Sequence, residues 1–186
     1  MRFAITVIFA MFLLGAAASG AAASGAAAAE AAPAAGLDSL RFLVGSWTGE
    51  ANGAPGQGRG ITTFEIALAG KALLRRSQTD FPATPARAAF THEDLLVVYA
   101  EPRDGKQRAL YLDNEGHVID YTVGMAPDGR SATFVSDAAA NAPRFRLTYV
   151  QQSSDEMLVR FEIAPPGKPD AFAVHVEGVV KRRAPR

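Results

Sequence analysis

The sequence FLVGSWTGE, residues 42–50, contains the only tryptophan of this 186-residue chain and begins a long series of short segments rich in β-branched and aromatic residues. We predict that it forms the first strand of a small antiparallel barrel. Closing a sheet into a barrel removes its exposed edges and encloses a central space. This stretch therefore bears on both the fold and the function.

Nine further segments have strand-like composition and are separated by Gly, Asn, Asp and Pro residues that favour tight reversals. Because the connections are short, neighbouring strands must pair antiparallel. The sequence predicts an all-β fold, a single up-and-down barrel of about ten strands, with one or two helical turns at 37–44 that cap one end. The predicted strands are 46–51, 60–69, 72–80, 93–100, 107–112, 118–124, 131–136, 144–151, 157–163 and 171–181.

Apolar and polar residues alternate along several of these segments, as expected where one face of a strand is buried. Phe64, Tyr149 and Phe161 lie on the apolar faces of their segments. Residues 51–60 contain four glycines and one proline in ten positions, and we predict that they form a flexible loop at one mouth of the barrel.

Residues 1–29 have the organisation of a secretory signal peptide: Arg2, an apolar run at 3–14, and an alanine-rich stretch with several possible cleavage sites. The apolar run is shorter than the roughly 20 residues that span a bilayer. We therefore predict a periplasmic or secreted product with no stable membrane insertion. The predicted organisation after the signal peptide is a disordered leader at 30–36, one barrel domain at 37–183 and a tail at 184–186.

The charges of the chain are balanced, with 19 basic and 19 acidic side chains. This balance argues against nucleic acid or an anionic membrane surface as the main partner, since both are bound through clustered Lys and Arg. The chain has no Gly-x-Ser-x-Gly elbow, His-Glu-x-x-His motif or phosphate-binding glycine loop. We therefore predict no catalytic residue. With no cysteine, the chain has no disulfide either.

Three segments carry a resemblance to known proteins: residues 42–50, YLDNEGHVIDY at 111–121, and FEIAPPGKP at 161–169 leading to Val176-Glu177-Gly178. Across residues 40–183 the chain resembles a bacterial family of unknown function with a lipocalin-like (calycin) barrel, and more distantly the haem-binding nitrobindins. The first resemblance implies the barrel fold and gives no indication of an activity, because that family has none assigned. The second implies haem bound through a histidine on the last strand, whose counterpart here is His175.

Alternation on the last segment opposes the haem alternative. The apolar residues of this segment, which would face an apolar barrel interior, are Phe172, Val174, Val176 and Val180. His175 would then face outward. We therefore predict no cofactor, and haem held by His175 stays the alternative.

Trp47 has two interpretations. Its ring either lines the cavity and stacks on a ligand, or closes the barrel floor, where the lipocalin-like resemblance implies a tryptophan beneath an arginine of the last strand. Arg182 shares the face of Val176 and Val180 and could supply that arginine. We favour the floor.

Two arginines, Arg75 and Arg76, are consecutive in a predicted strand, so one of them must face inward. The inward arginine either reaches water at the strand end or anchors a carboxylate head group through paired hydrogen bonds.

Polar residues at 92–94 (His-Glu-Asp) and 113–117 (Asp-Asn-Glu-Gly-His) could meet at one barrel end as a metal site. Charged residues are ordinary at turns, however, and we predict no metal.

The predicted function is a binding module that holds a small hydrophobic or amphipathic molecule inside the barrel. The alternatives are a structural or protein-interaction module with a filled interior, and the haem-binding barrel. The volume of the cavity discriminates the first two, since ligand pockets hold about 300–1,000 Å³. The candidate ligand-binding residues are Trp47, Phe64, Arg75, Arg76, Tyr111, Tyr149 and Phe161.

Overall fold

Ten antiparallel strands form a closed barrel in the computed structural model, which describes residues 36–53 and 56–184. Each strand pairs with its neighbours in sequence, and the first strand pairs with the last to close the sheet. The predicted up-and-down barrel is confirmed. Its strands are β1 (Gly45–Gly53), β2 (Gly58–Ala67), β3 (Ala72–Phe81), β4 (Phe90–Ala100), β5 (Gln107–Asp113), β6 (Val118–Met125), β7 (Ser131–Ser136), β8 (Arg144–Gln151), β9 (Glu156–Ala164) and β10 (Ala173–Arg182).

The ends of the chain fall outside this description. The predicted signal peptide at 1–29, the predicted leader except its last residue, Gly36, and the last two residues of the predicted tail lie outside the described residues. In the part that is described, no helix is long and apolar enough to cross a membrane.

A 3₁₀ helix, Leu37–Leu43, precedes β1 and confirms the predicted helical turns. Residues three apart lie on the same side of a 3₁₀ helix. Leu37, Leu40 and Leu43 follow this spacing and are buried, so one side of the helix covers an end of the barrel core.

Trp47 closes the same end. Its ring is completely buried, and the indole Nε1 donates a hydrogen bond of 2.7 Å to the carbonyl oxygen of Leu43. The guanidinium carbon of Arg182, the residue paired with Trp47 across β1 and β10, lies 4.1 Å from the ring centre. Arg182 Nη1 also donates to the carbonyl oxygen of Val44 at 2.7 Å. The contacts support the floor interpretation of Trp47.

The glycines of residues 51–60 belong mostly to strands, which corrects the predicted loop. β1 continues to Gly53 and β2 begins at Gly58. A Cβ atom at Gly53 would overlap the backbone carbonyl oxygen of His175, and one at Gly58 would lie 2.6 Å from Phe81 Cε1. These glycines therefore allow close packing of neighbouring chain segments. The number of glycines in a segment does not show whether they serve close packing or flexibility.

Candidate ligand-binding cavity

The barrel encloses a cavity of about 720 Å³. This volume lies within the range of about 300–1,000 Å³ typical of small-molecule sites, and it contradicts the alternative of a filled barrel. Polar side chains line one wall and apolar side chains line the other. The polar wall, from β3 to β6, includes Arg75, Ser77, His92, Asp94, Tyr111, Asp113 and Tyr121. The apolar wall, from β8 to β10, includes Phe145, Leu147, Met157, Val159, Phe161, Ile163, Val176 and Val180.

Arg75 is the inward member of the arginine pair, and Arg76 is exposed on the outer face. The guanidinium of Arg75 donates one hydrogen bond to the Asp94 carboxylate through Nη2 and another to the Tyr149 hydroxyl through Nη1. The side chains of Arg75 and Asp94 are each only 7% exposed. Arg75 therefore does not reach water at the strand end, and the carboxylate that the alternative interpretation assigned to a ligand is supplied by β4 of the protein itself.

A chain of polar contacts continues from Asp94 to the exposed residue His117. His92 Nε2 lies 3.6 Å from Asp94 Oδ2 and 3.1 Å from the Tyr111 hydroxyl. The Tyr111 hydroxyl donates to Asp113 Oδ2 at 3.1 Å, and the same oxygen lies 2.8 Å from His117 Nδ1. The polar wall is therefore a continuous network rather than a set of separate groups.

The charges in this network are matched. Contact with Asp94 raises the pKa of His92 to about 9. Partial burial opposes this shift, whereas a 2.8 Å contact between His92 Nδ1 and Glu115 Oε1 adds to it. Burial by itself raises the pKa of Asp94, but Arg75 and His92 together hold it below its usual value. At neutral pH, two cations, Arg75 and His92, therefore surround the Asp94 carboxylate.

The two segments considered as a metal site do meet, since Asp94 pairs with Asp113 across β4 and β5. Side chains of the two segments contact one another, as His92 Nδ1 and Glu115 Oε1 do at 2.8 Å, and Glu93 faces outward. Within residues 36–53 and 56–184, no three His, Asp or Glu side chains are placed to hold a metal ion.

Aromatic rings pack around the inner part of the polar wall. Tyr149 makes edge-to-face contacts with Phe64 and Phe134, at 5.5 and 5.9 Å between ring centres, and Phe134 makes another with Tyr121 at 6.3 Å. Phe64 is buried in the core and Trp47 lies at the floor, so neither is among the residues that line the cavity. Tyr111, Tyr149 and Phe161 do line it.

Tyr121 was missing from the predicted lining, although the sequence carries a signal for it. Ile119, Tyr121 and Val123 alternate with polar residues or Gly in β6, and all three are inward. Burial raises the pKa of Tyr121 above its ordinary value, so its hydroxyl keeps its proton at neutral pH.

His175 lies on the cavity side, which corrects the prediction from alternation. The register between β9 and β10 shifts after Val174: Val174 pairs with Glu162, whereas Val176 pairs with Phe161. One extra residue in a strand reverses the face taken by the residues before it. Val174 is consequently 57% exposed, and the His175 ring lines the cavity 6.1 Å from the Phe161 ring. The inward placement of Val176 and Val180, beyond the shift, agrees with the prediction.

The barrel is similar to a known structure. The crystal structure of Rv2717c from M. tuberculosis matches over 82% of this chain and 99% of that chain, with a TM-score of 0.58 and 19% sequence identity. A de novo designed fluorescence-activating β-barrel matches over 78% of this chain and 98% of its own, with a TM-score of 0.41 and 14% identity. No family model and no curated protein matches the chain. The similarity to Rv2717c supports the barrel fold alone, and the resemblance to lipocalin-like proteins and nitrobindins stays a prediction.

Proposed function

We propose that this protein binds a small amphipathic molecule inside its barrel. The observation that carries the proposal is the cavity of about 720 Å³ with a hydrogen-bonded polar wall facing an apolar wall. Binding sites of this kind combine a mostly apolar lining with a few placed polar groups that orient the ligand.

The apolar wall contains a pair of stacked aromatic rings. The rings of Phe145 and Phe161 are nearly parallel, 10° apart, with their centres separated by 5.9 Å. Val159 also lines the cavity. Burying an apolar group here contributes about 25 cal/mol for each Å² removed from water. The polar part of the ligand would then meet the network of β3 to β6.

Filling the cavity tests the proposal. We expect the neutral fluorescent probe N-phenyl-1-naphthylamine to bind the purified protein and Val159→Trp to weaken that binding by at least about tenfold, or about 1.4 kcal/mol. Val179→Trp is the matched control because Val179 lies on the outer side of β10, 40% exposed. Equal binding by both variants, with both folded by circular dichroism, would contradict an interior site.

Haem held by His175 is a second candidate, and the inward position of this histidine favours it. A neutral imidazole is a common axial ligand of haem iron, and the apolar lining beside His175 is of the kind that haem sites use. We expect hemin to give a sharp Soret band that His175→Ala removes if this candidate is correct. A band unchanged by the substitution would exclude His175 as the ligand.

We also propose that the protein acts in the periplasm or after secretion. Support comes from the sequence of residues 1–29, with Arg2 followed by an apolar run and alanine-rich cleavage choices.

A further inference from the structure

We propose that the ligand presents an uncharged hydrogen-bond acceptor, such as a ketone or amide carbonyl, to a tyrosine subsite in the polar wall. The tyrosine subsite comprises Arg75, Tyr111, Tyr121 and Tyr149, with Tyr121 as the donor to the ligand. This inference rests on the proposed ligand-binding function and names the polar group that the cavity recognises.

Tyr121 is the unsatisfied member of the subsite. Its side chain lines the cavity and only 2% of the residue is exposed. The hydroxyl groups of Tyr111 and Tyr149 have hydrogen-bond partners, whereas that of Tyr121 has none in residues 36–53 and 56–184. The Tyr121 hydroxyl is not among the buried atoms that lack a partner in the described residues, so it faces the open cavity, where a ligand can reach it. A ligand acceptor in the cavity would satisfy it.

Arg75 has N–H donors that no protein group uses, but its positive charge is already paired. A guanidinium has five N–H donors, and the hydrogen bonds of Arg75 go to Asp94 and Tyr149. Its Nε is the single buried side-chain nitrogen or oxygen without a partner in the part of the chain that the structure describes, and because it is buried a ligand in the open cavity would not reach it. The positive charge, however, is already compensated by the Asp94 carboxylate.

This compensation decides between a neutral and an anionic ligand group. A ligand carboxylate beside Arg75 would bring a second negative charge next to Asp94, in a place where both protein side chains are 7% exposed. His92, the other cation of the network, is already in contact with Asp94 and with Glu115. A ligand carboxylate would therefore have no counter-ion of its own, and a buried charge of that kind is strongly unfavourable. A carbonyl oxygen accepts the same hydrogen bonds and adds no charge, and Tyr121 keeps the proton that it donates because burial raises its pKa.

Three matched probes test this inference in the purified protein: 2-acetylnaphthalene, 2-ethylnaphthalene and 2-naphthoate. They share one ring system and differ in carrying a neutral acceptor, no acceptor or an anion. We expect the ketone to bind about five- to tenfold tighter than the hydrocarbon, and the carboxylate to bind most weakly. Tyr121→Phe should reduce the ratio between ketone and hydrocarbon to about one, whereas Tyr99→Phe, on the exposed outer side of β4, should leave it unchanged.

The thermal midpoint of Tyr121→Phe without a probe gives an independent readout. Because the hydroxyl has no partner among the described residues, its removal should leave the midpoint unchanged or raise it. A lowered midpoint would show that the protein already uses the hydroxyl and would overturn the inference.

The outcomes separate the inference from the proposed function. If the probes bind and Tyr121→Phe leaves the ratio intact, the tyrosine subsite is wrong and the cavity function stands. If 2-naphthoate binds most tightly and Arg75→Met abolishes its advantage, Arg75 anchors an anion and the inference is overturned. If none of the three binds the unmodified protein, the proposed function fails and the inference fails with it.

Discussion

Removing the carboxylate of Asp94 should unfold this protein far more readily than removing any surface carboxylate. Asp94→Leu leaves the Arg75 guanidinium buried with only the Tyr149 hydroxyl as its hydrogen-bond partner. Breaking a buried ion pair by deleting one partner typically costs about 3–5 kcal/mol, because the remaining charge is desolvated and uncompensated. With both side chains 7% exposed, screening by water offers little relief. We therefore expect a loss in this range.

A double substitution isolates the cost of leaving the Arg75 charge buried without its carboxylate partner. Arg75→Met combined with Asp94→Leu removes both charges and leaves the Tyr149 hydroxyl without its donor, which costs about 1 kcal/mol. The double variant should therefore be at least about 2 kcal/mol more stable than Asp94→Leu alone. As a control, Glu156→Gln breaks an exposed ion pair with Lys181, 3.2 Å long, and should cost less than about 1 kcal/mol.

Urea unfolding followed by Trp47 emission measures these differences, since the single tryptophan is buried at the closed end of the barrel. The free energy of unfolding comes from linear extrapolation, with equal slopes required of all variants. Two results would refute the reasoning. One is a loss below about 1 kcal/mol for Asp94→Leu, and the other is a double variant no more stable than the single.

Three further predictions concern the pKa of His92, the burial of Trp47 and the cleavage of the signal peptide. Because the pKa of His92 is raised in the folded state, its protonation stabilises that state fully below about pH 6.5, and this stabilisation is lost as pH rises through about 9. The free energy of unfolding should therefore fall by about 1–3 kcal/mol over this range in urea titrations, and His92→Gln should flatten the fall. Trp47→Ala should cost about 3–5 kcal/mol, and the native emission of Trp47 should be blue-shifted; a red emission maximum would contradict its burial. N-terminal sequencing should place the first residue of the exported protein between about residues 18 and 32, and finding Met1 on that protein would exclude cleavage.

The sequence predicts the barrel well because strand alternation and turn residues are local signals. Phe161 and Tyr149 fall on the inward face for this reason, and both line the cavity. The choice between Arg75 and Arg76 could not be made this way. Leu73 shares the face of Arg75 and Leu74 shares the face of Arg76, so both faces of β3 carry an apolar residue and an arginine. The pairing with Asp94 decides it, and that contact depends on the folded sheet.

The position of His175 shows a different limit. Alternation assumes that every residue of a strand advances the register by one, whereas the bulge after Val174 gives β10 an additional residue against β9. Nothing in the order of apolar and polar residues distinguishes a regular strand from this arrangement, because valines at 174 and 176 suit the exposed and buried faces equally. The side taken by His175 therefore depends on how β10 pairs with β9.

Closure of the barrel and the proposed recognition of a ligand depend on different residues. At the closed end, Trp47 and Arg182 tie the first strand to the last, and the guanidinium of Arg182 is used on backbone carbonyl oxygens and the indole ring. Closure therefore needs nothing from Arg75, whose partners lie along the cavity wall. Because those partners match its charge, the wall can offer hydrogen bonds without attracting ions, and the cavity should select ligands by the placement of neutral polar atoms.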